Sequence, residues 1–131
     1  MESISISLSE SGPERAVSEI RVDGVIDTLT AGELEEVIDS LLKRGRYRLI
    51  LDLAGVDYIS SAGWGIFISH IKDVRSRGGD IKLAGMIPNV REIYELLEFD
   101  NVLHAYPSMD EARTTFDFTA PHEEPKKKAG K

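Results

Sequence analysis

The chain has 131 residues, of which 41% are apolar and 30% charged, and its net charge is −7. This length fits one domain with its own core, and the negative charge argues against a general nucleic-acid-binding protein, which neutralises phosphates with Lys and Arg. The chain has no cysteine, so disulfides, thiolate nucleophiles and zinc–thiolate sites are excluded. We expect no signal peptide and no membrane span, because neither an apolar leader nor a run of about 18 apolar residues occurs.

The N-terminal part of the chain predicts a β-hairpin. Ser and apolar residues alternate over residues 3–8, which is typical of a half-buried strand. A second strand is predicted at residues 16–22, paired with the first across a Gly-Pro turn. Asp23-Gly24 interrupts this strand, and Val25-Ile26 extends it past a bulge.

The next segments predict a helix and a central strand. Thr28 or Thr30 caps the helix, and Glu33, three residues after Thr30, completes a capping box. Gly45 ends the helix. The nearly continuous apolar run at residues 47–53 is typical of a central strand that is covered on both faces.

Helices alternate with short strands in the second half of the chain. A helix follows residue 60, and a helix begins at Pro88, while strands are predicted at residues 81–84 and 102–104 and Ser108 caps a last helix. The predicted inner face of the second helix comprises Gly63, Phe67, His70, Ile71 and Val74, and that of the third comprises Val90, Ile93, Leu96 and Leu97.

This alternation predicts the fold class. We expect one α/β domain at residues 1–118, with a mostly parallel central sheet of about five strands, about four helices and the N-terminal hairpin. Residues 119–131 are rich in Pro, Glu, Lys and Gly, so we expect a disordered charged tail.

Two adjacent serines, Ser60 and Ser61, lie where the apolar strand gives way to the second helix. The first four N–H groups of a helix lack intrahelical partners, and such an end accepts a phosphate well. One serine suffices for a cap, and Gly63 and Gly65 leave the first turn with little side-chain cover, at a cost of about 1 kcal/mol each relative to Ala. The pair therefore predicts either a simple cap or a phosphorylation site that a partner approaches closely.

Two further residues are candidates for this site. Trp64 lies off the predicted core face, so we expect it to point outward or sideways, where it would anchor an interface; a partly buried packing role is the alternative. Asp27 follows a strand end, where ligands gather in α/β sheets, although Asp also favours such positions for turn chemistry.

Catalytic functions fit the serine segment poorly. It contains no Lys and does not match the phosphate-binding loop, and the Gly-x-Ser-x-Gly nucleophile elbow is absent. His70 is predicted on the buried face of the helix, two turns beyond the serines, as a core or groove residue. We therefore expect no enzyme, no cofactor and no metal site.

The segment Asp52–Gly65 resembles the signature of the STAS domain, the fold of bacterial anti-sigma factor antagonists. Gly24–Asp27 is similar to the family's upstream Gly-x-x-Asp, and Gly78–Gly85 resembles its passage from helix to strand. The likeness covers nearly the whole folded part. It implies the STAS fold and a cytoplasmic protein that works by binding.

The resemblance also implies partner switching. In the family, the unmodified antagonist binds an anti-sigma factor that is also a serine kinase; the kinase phosphorylates a serine at this helix start, and a PP2C-type phosphatase resets the protein. We expect no nucleic acid among the partners and no membrane span, and a weak homodimer is left open as an alternative to a monomer. The implied partner-binding residues are Asp27, Ser60, Ser61, Ala62, Gly63 and Trp64.

One position departs from the family pattern. Members with the sequence Asp-Ser-Ser-Gly modify the second serine, and an ungapped alignment places Ser60 in the Asp column, Ser61 in the first serine column and Ala62 in the modified column. Either Ser61, our first choice, or Ser60 accepts the phosphate, or the domain is a constitutive scaffold or docking subunit, in a signalling or lipid-transport complex, without phospho-control.

Overall fold

The computed structural model describes residues 4–116, which form five strands and four helices in the expected order. The strands are β1 (Ile4–Ser11), β2 (Val17–Ile26), β3 (Arg48–Ile59), β4 (Asp80–Ala84) and β5 (His104–Tyr106). The helices are α1 (Ala31–Lys43), α2 (Ser61–Ser76), α3 (Pro88–Leu96) and α4 (Met109–Thr114), and two 3-10 turns lie at Pro13–Arg15 and Phe99–Asn101. The α/β fold class is confirmed.

The strands form a single mixed sheet in the order β1-β2-β3-β4-β5. β1 and β2 form the expected antiparallel hairpin, and the other neighbours are parallel. β3 is therefore the central strand. Leu49 and Leu51 pack into one hydrophobic cluster and Ile50 into another, so this strand is covered on both faces, as its apolar run predicts.

Two layers of helix cover the sheet. Buried residues of α1, α2 and α3 share the larger cluster, for example Ile38, Phe67 and Val90. α4 covers the opposite face, where Ala112 packs with Ile50 and neighbouring residues of the sheet. The main core therefore lies between the sheet and the first three helices.

Strands β2 and β3 end together beside the start of α2. β2 continues to Ile26 through register shifts on either side of Asp23-Gly24, and Gly24 has a φ of 115°, which a glycine adopts without strain. β3 runs past the predicted end at residue 53 to Ile59, which pairs with Ile26. The extension of β2 past a bulge is confirmed.

The structure corrects two expectations in the C-terminal half. Leu96 is 72% exposed and Leu97 is also exposed, because α3 ends here and Tyr94 takes the inner position instead. The last strand is His104–Tyr106 rather than residues 102–104, since the backbone N–H groups of the two residues before it donate to the carbonyl of Phe99 and close a turn.

The expected tail at residues 119–131 and the domain boundary at 118 lie outside the described residues. Within residues 4–116, no helix has both the length and the apolar character that crossing a membrane requires.

Candidate partner-binding site at the start of α2

The start of α2 is tied to the end of β2. The backbone N–H of Ser60 donates to the carbonyl of Ile26 across 2.8 Å, one residue before Asp27. The parallel pairing of β2 with β3 continues to this point. The sheet therefore places Asp27 and the serine pair at the same edge, where the carboxyl ends of the strands meet.

Ser60 is the N-cap of α2. Its backbone is extended, with φ −79° and ψ 173°, and its side chain accepts a hydrogen bond from the N–H of Gly63 at 3.4 Å. Its carbonyl accepts from the N–H of Trp64 at 3.0 Å. The side-chain bond is longer than the usual 2.7–3.2 Å, so the cap is a weak one on a half-buried residue.

Ser61 is the first residue of the helix and is exposed. Its hydroxyl has no hydrogen-bond partner among residues 4–116, and the first turn of α2 contains no acidic residue. Ala62 is half-buried and packs against the main core. The three successive side chains therefore differ. The Ser60 hydroxyl accepts the capping hydrogen bond, the Ser61 hydroxyl is accessible to solvent, and the Ala62 methyl group packs on the core.

The two glycines of the first turns differ in their surroundings. A Cβ on Gly63 would lie 2.7 Å from a methyl carbon of Ile26 and 2.7 Å from one of Ile59, whereas a Cβ on Gly65 would meet nothing within 4 Å. Gly63 is therefore explained by close packing of the helix on the strands. Gly65 has no side chain to cover the exposed helix backbone one turn after Ser61.

Asp27 organises the loop that precedes α1. Its Oδ1 accepts hydrogen bonds from the N–H of Leu29 at 2.9 Å and of Thr30 at 3.1 Å. Thr30 is the N-cap residue, but its hydroxyl donates to the carbonyl of Val25 at 2.7 Å, and the backbone N–H of Glu33 donates to the Thr30 carbonyl rather than to the Thr30 hydroxyl. The predicted capping box is therefore wrong, and Asp27 contributes turn chemistry beside the site.

Trp64 does not point outward. The residue is 2% exposed, and its ring contacts those of Phe67, Tyr94 and Phe99 at centroid distances of 6.1, 6.1 and 5.0 Å. The expectation of an exposed interface anchor is wrong because α3 and the 3-10 turn after it supply an aromatic pocket that the helical pattern of α2 alone does not reveal. Trp64 supports the site by fixing the first turn of α2.

Sequence reasoning missed two exposed apolar side chains at this end of the sheet. Leu29, 79% exposed, lies in the loop held by Asp27, and Tyr58, also exposed, lies two residues before Ser60. The only sequence signal for Leu29 is an apolar residue between two threonines just before a helix. Both side chains are exposed at the end of the sheet where the serine pair lies.

Comparisons with known proteins agree with this architecture. A sequence profile described as the STAS domain matches residues 13–112. A Bordetella bronchiseptica protein named "Putative anti-sigma factor antagonist BtrV" is 31% identical over 100 residues, which cover 76% of this chain and 86% of that protein. The anti-sigma-B factor antagonist of Staphylococcus epidermidis is 26% identical over 86 residues, covering 66% and 80% of the two chains.

A solved structure shows the same fold. The crystal structure of an anti-sigma factor antagonist from Mycobacterium paratuberculosis superposes with a TM-score of 0.73 at 24% identity, covering 86% of this chain and 93% of that chain. At this identity the likeness is evidence for the fold, and it agrees with the order of strands and helices described above.

Proposed function

We propose that the chain, which belongs to the STAS domain family, is an anti-sigma factor antagonist. In this proposal it binds an anti-sigma factor with serine kinase activity through the start of α2. Phosphorylation of Ser61 then releases this partner. The names of its curated relatives support the antagonist function. The observation that carries the switch is the exposed, unpartnered hydroxyl of Ser61 at the first position of the helix.

The switch has a physical basis. Transfer of a phosphoryl group from ATP to the Ser61 oxygen adds about −1.5 to −2 charges at neutral pH. In the free protein, the N–H groups and the dipole of α2 stabilise this charge. In a complex packed against the helix start, the same charge costs several kcal/mol unless a cation pairs with it. Phosphorylation therefore favours the free protein, and hydrolysis by a PP2C-type phosphatase restores binding.

The hydrogen bonding and burial of the two serines support Ser61 rather than Ser60 as the acceptor. The Ser60 oxygen accepts the N–H of Gly63 and is half-buried, so its modification would disturb the cap. Modification of Ser61 leaves that hydrogen bond in place. The adjacent serine pair thus divides capping and phosphate acceptance between two residues.

A constitutive docking domain is the second candidate. Ala62 occupies the column in which the family carries its modified serine, and an alanine cannot be phosphorylated. In this alternative the same end of the sheet, where Leu29 and Tyr58 are exposed, binds its partner without phospho-control.

Phosphosite mapping separates the two candidates. Trypsin releases the segment between Arg48 and Lys72 as one peptide, which contains both Ser60 and Ser61, and fragment ions cut between the serines assign the phosphate. We expect phosphate on Ser61 in protein isolated from its own cells under at least one growth condition. Complete coverage of this peptide without phosphate under all conditions would exclude the switch and favour the constitutive domain.

A further inference from the structure

A cluster of one histidine and two carboxylates lies between α1 and α2. Glu35 and Asp39 are one turn apart on α1, and His70 lies on α2. The His70 Nε2 atom is 3.3 Å from Glu35 Oε2 and 3.5 Å from Asp39 Oδ1. The side chain of His70 is only 18% exposed, whereas both carboxylates are about half exposed, so the imidazole is held by packing while the cluster is open to solvent.

His70 cannot donate to both carboxylates at once. Nε2 carries at most one proton, so it donates to one carboxylate, and the other, which is about half exposed, is left to solvent. The carboxylates are four residues apart on one helix, where like charges destabilise. No Lys or Arg within residues 4–116 forms an ion pair with either of them. A cation bound among the three side chains would neutralise both carboxylates at once.

The distances match the coordination geometry of a transition metal. Zn²⁺ binds imidazole nitrogen and carboxylate oxygen at about 2.0–2.2 Å, so two ligand atoms of a tetrahedral site lie about 3.4 Å apart. The two distances from Nε2 have this length, and one ligand atom from each residue lies within 4.8 Å of the others. Small side-chain rotations of the exposed carboxylates complete three corners of a tetrahedron.

We propose that Glu35, Asp39 and His70 bind a divalent transition-metal ion that clips α1 to α2. One imidazole nitrogen and two carboxylate oxygens suit Zn²⁺ and its first-row neighbours, and water fills the fourth position. The sequence alone predicted no metal site, because His70 follows both carboxylates by more than 30 positions in the chain and only the packing of the two helices brings the three side chains together.

The metal site is distinct from the phosphorylation site. His70 follows Ser61 by nine residues, which is about 13.5 Å along the helix. Zinc binding and serine phosphorylation are measured independently, so the failure of one proposal does not affect the other.

Calorimetric titration of Zn²⁺ into the metal-free, untagged full chain tests the proposal. We expect one ion per chain with a Kd of about 10 μM or tighter. His70→Gln should weaken binding about tenfold or more, since it removes a ligand. The other two histidines are matched controls, and His104→Gln and His122→Gln should leave the affinity within about twofold.

The carboxylates have their own test. Glu35→Gln and Asp39→Asn keep the shape of half-exposed side chains, so they should leave the far-ultraviolet circular dichroism spectrum unchanged while each weakens Zn²⁺ binding about tenfold. Glu36→Gln, on the exposed side of α1, should have no effect. Co²⁺ should give the strong visible absorption of a tetrahedral site in the wild type and lose it in all three ligand variants.

Two outcomes would overturn the proposal. One is the absence of both binding heat and the cobalt spectrum at metal concentrations up to about 1 mM, which corresponds to less than 4.1 kcal/mol of binding free energy. The other is Zn²⁺ binding that Glu35→Gln, Asp39→Asn and His70→Gln all leave within about twofold.

Discussion

Ser60 and Ser61 are neighbours in the chain with different roles, because the helix begins between them. The oxygen of Ser60 is turned toward the N–H of Gly63, and the side chain of Ser61 projects into solvent from the first turn. The same polar residue type thus provides a cap at one position and an accessible hydroxyl at the next. The assignment of Ser61 as the acceptor and of the partner-binding residues stays a prediction.

Substitution of Ser61 by Asp tests this assignment through binding. We expect Ser61→Asp to weaken the anti-sigma factor complex about tenfold or more, or about 1.4 kcal/mol, because a charge is placed in the interface. Isothermal titration calorimetry with the partner kinase is the measurement. Ser69→Asp introduces the same charge at an exposed position two turns along α2, and it should leave the affinity nearly unchanged. Equal affinities of Ser61→Asp and the wild type would contradict the prediction.

Replacing each of the two glycines of α2 by Ala should change the free energy of unfolding in opposite directions. Gly63→Ala drives a methyl group to 2.7 Å from Ile26 and Ile59, so we expect a loss of about 1–3 kcal/mol in the free energy of unfolding. Gly65→Ala meets open space and should gain about 0.5–1 kcal/mol from helix propensity. Urea denaturation of both variants measures the effect, and a stable Gly63→Ala protein would show that the helix moves away from the strands at little cost.

At the scale of elements, α2 is held at its beginning by an aromatic cluster. Trp64 brings α2 into contact with Tyr94 of α3 and with Phe99 of the following 3-10 turn, while the hydroxyl of Tyr94 donates to the carbonyl of Leu103. The position of Ser61 therefore depends on the packing of a second helix. The aromatic cluster therefore fixes the place of the first turn, on which Ser61 lies.

Trp64 and Leu96 form a matched pair for testing this packing. We expect Trp64→Ala to lower the free energy of unfolding by about 3–5 kcal/mol, because it empties an aromatic pocket. Leu96→Ala, at an exposed position that the sequence pattern had assigned to the core, should change it by less than about 0.5 kcal/mol. Guanidinium denaturation of both variants is the measurement. A large effect of Leu96→Ala would mean that this leucine is covered in solution.

At the scale of the whole molecule, an ion pair joins the last helix to the hairpin. Arg113 of α4 donates to both carboxylate oxygens of Glu19 on β2, at 2.6 and 2.8 Å, and the Ser11 hydroxyl of β1 donates to the same carboxylate. Glu19 is buried. The hydrogen bonds from Arg113 are the main reason why the pKa of Glu19 is lower than its usual value, and Glu19 in turn raises the pKa of Arg113.

This ion pair predicts a pH dependence of stability. A carboxyl whose pKa is lowered in the folded state stabilises that state above its unfolded pKa of about 4.3 and loses this contribution as the pH falls through the lowered pKa. We expect Glu19→Gln to cost about 2 kcal/mol at pH 7 and the difference from the wild type to shrink below about pH 4, measured by urea denaturation. Glu111→Gln, exposed on α4, is the control, and a pH-independent difference would contradict the prediction.

Much of the fold could be predicted because its signals are local. Hydrophobic periodicity, the Ser108 cap and the Asp23-Gly24 interruption each depend on a few consecutive residues, and the structure confirms the element order, the Ser108 cap and the bulge. The long apolar run predicted the central strand with its two covered faces, since only burial on both sides explains it. The place of the serine pair could also be predicted from local signals, because the apolar run ends and the helical periodicity begins at these residues.

By itself, the sequence therefore determined the α/β order, the central strand and the place of the serine pair. Tertiary structure alone decided that Trp64 is buried, that Tyr94 rather than Leu96 faces the core, and that His70 meets Glu35 and Asp39. The physical reason is that helical periodicity defines a face but not what packs against it. Contacts between residues far apart in the chain form only when the sheet fixes the positions of its helices.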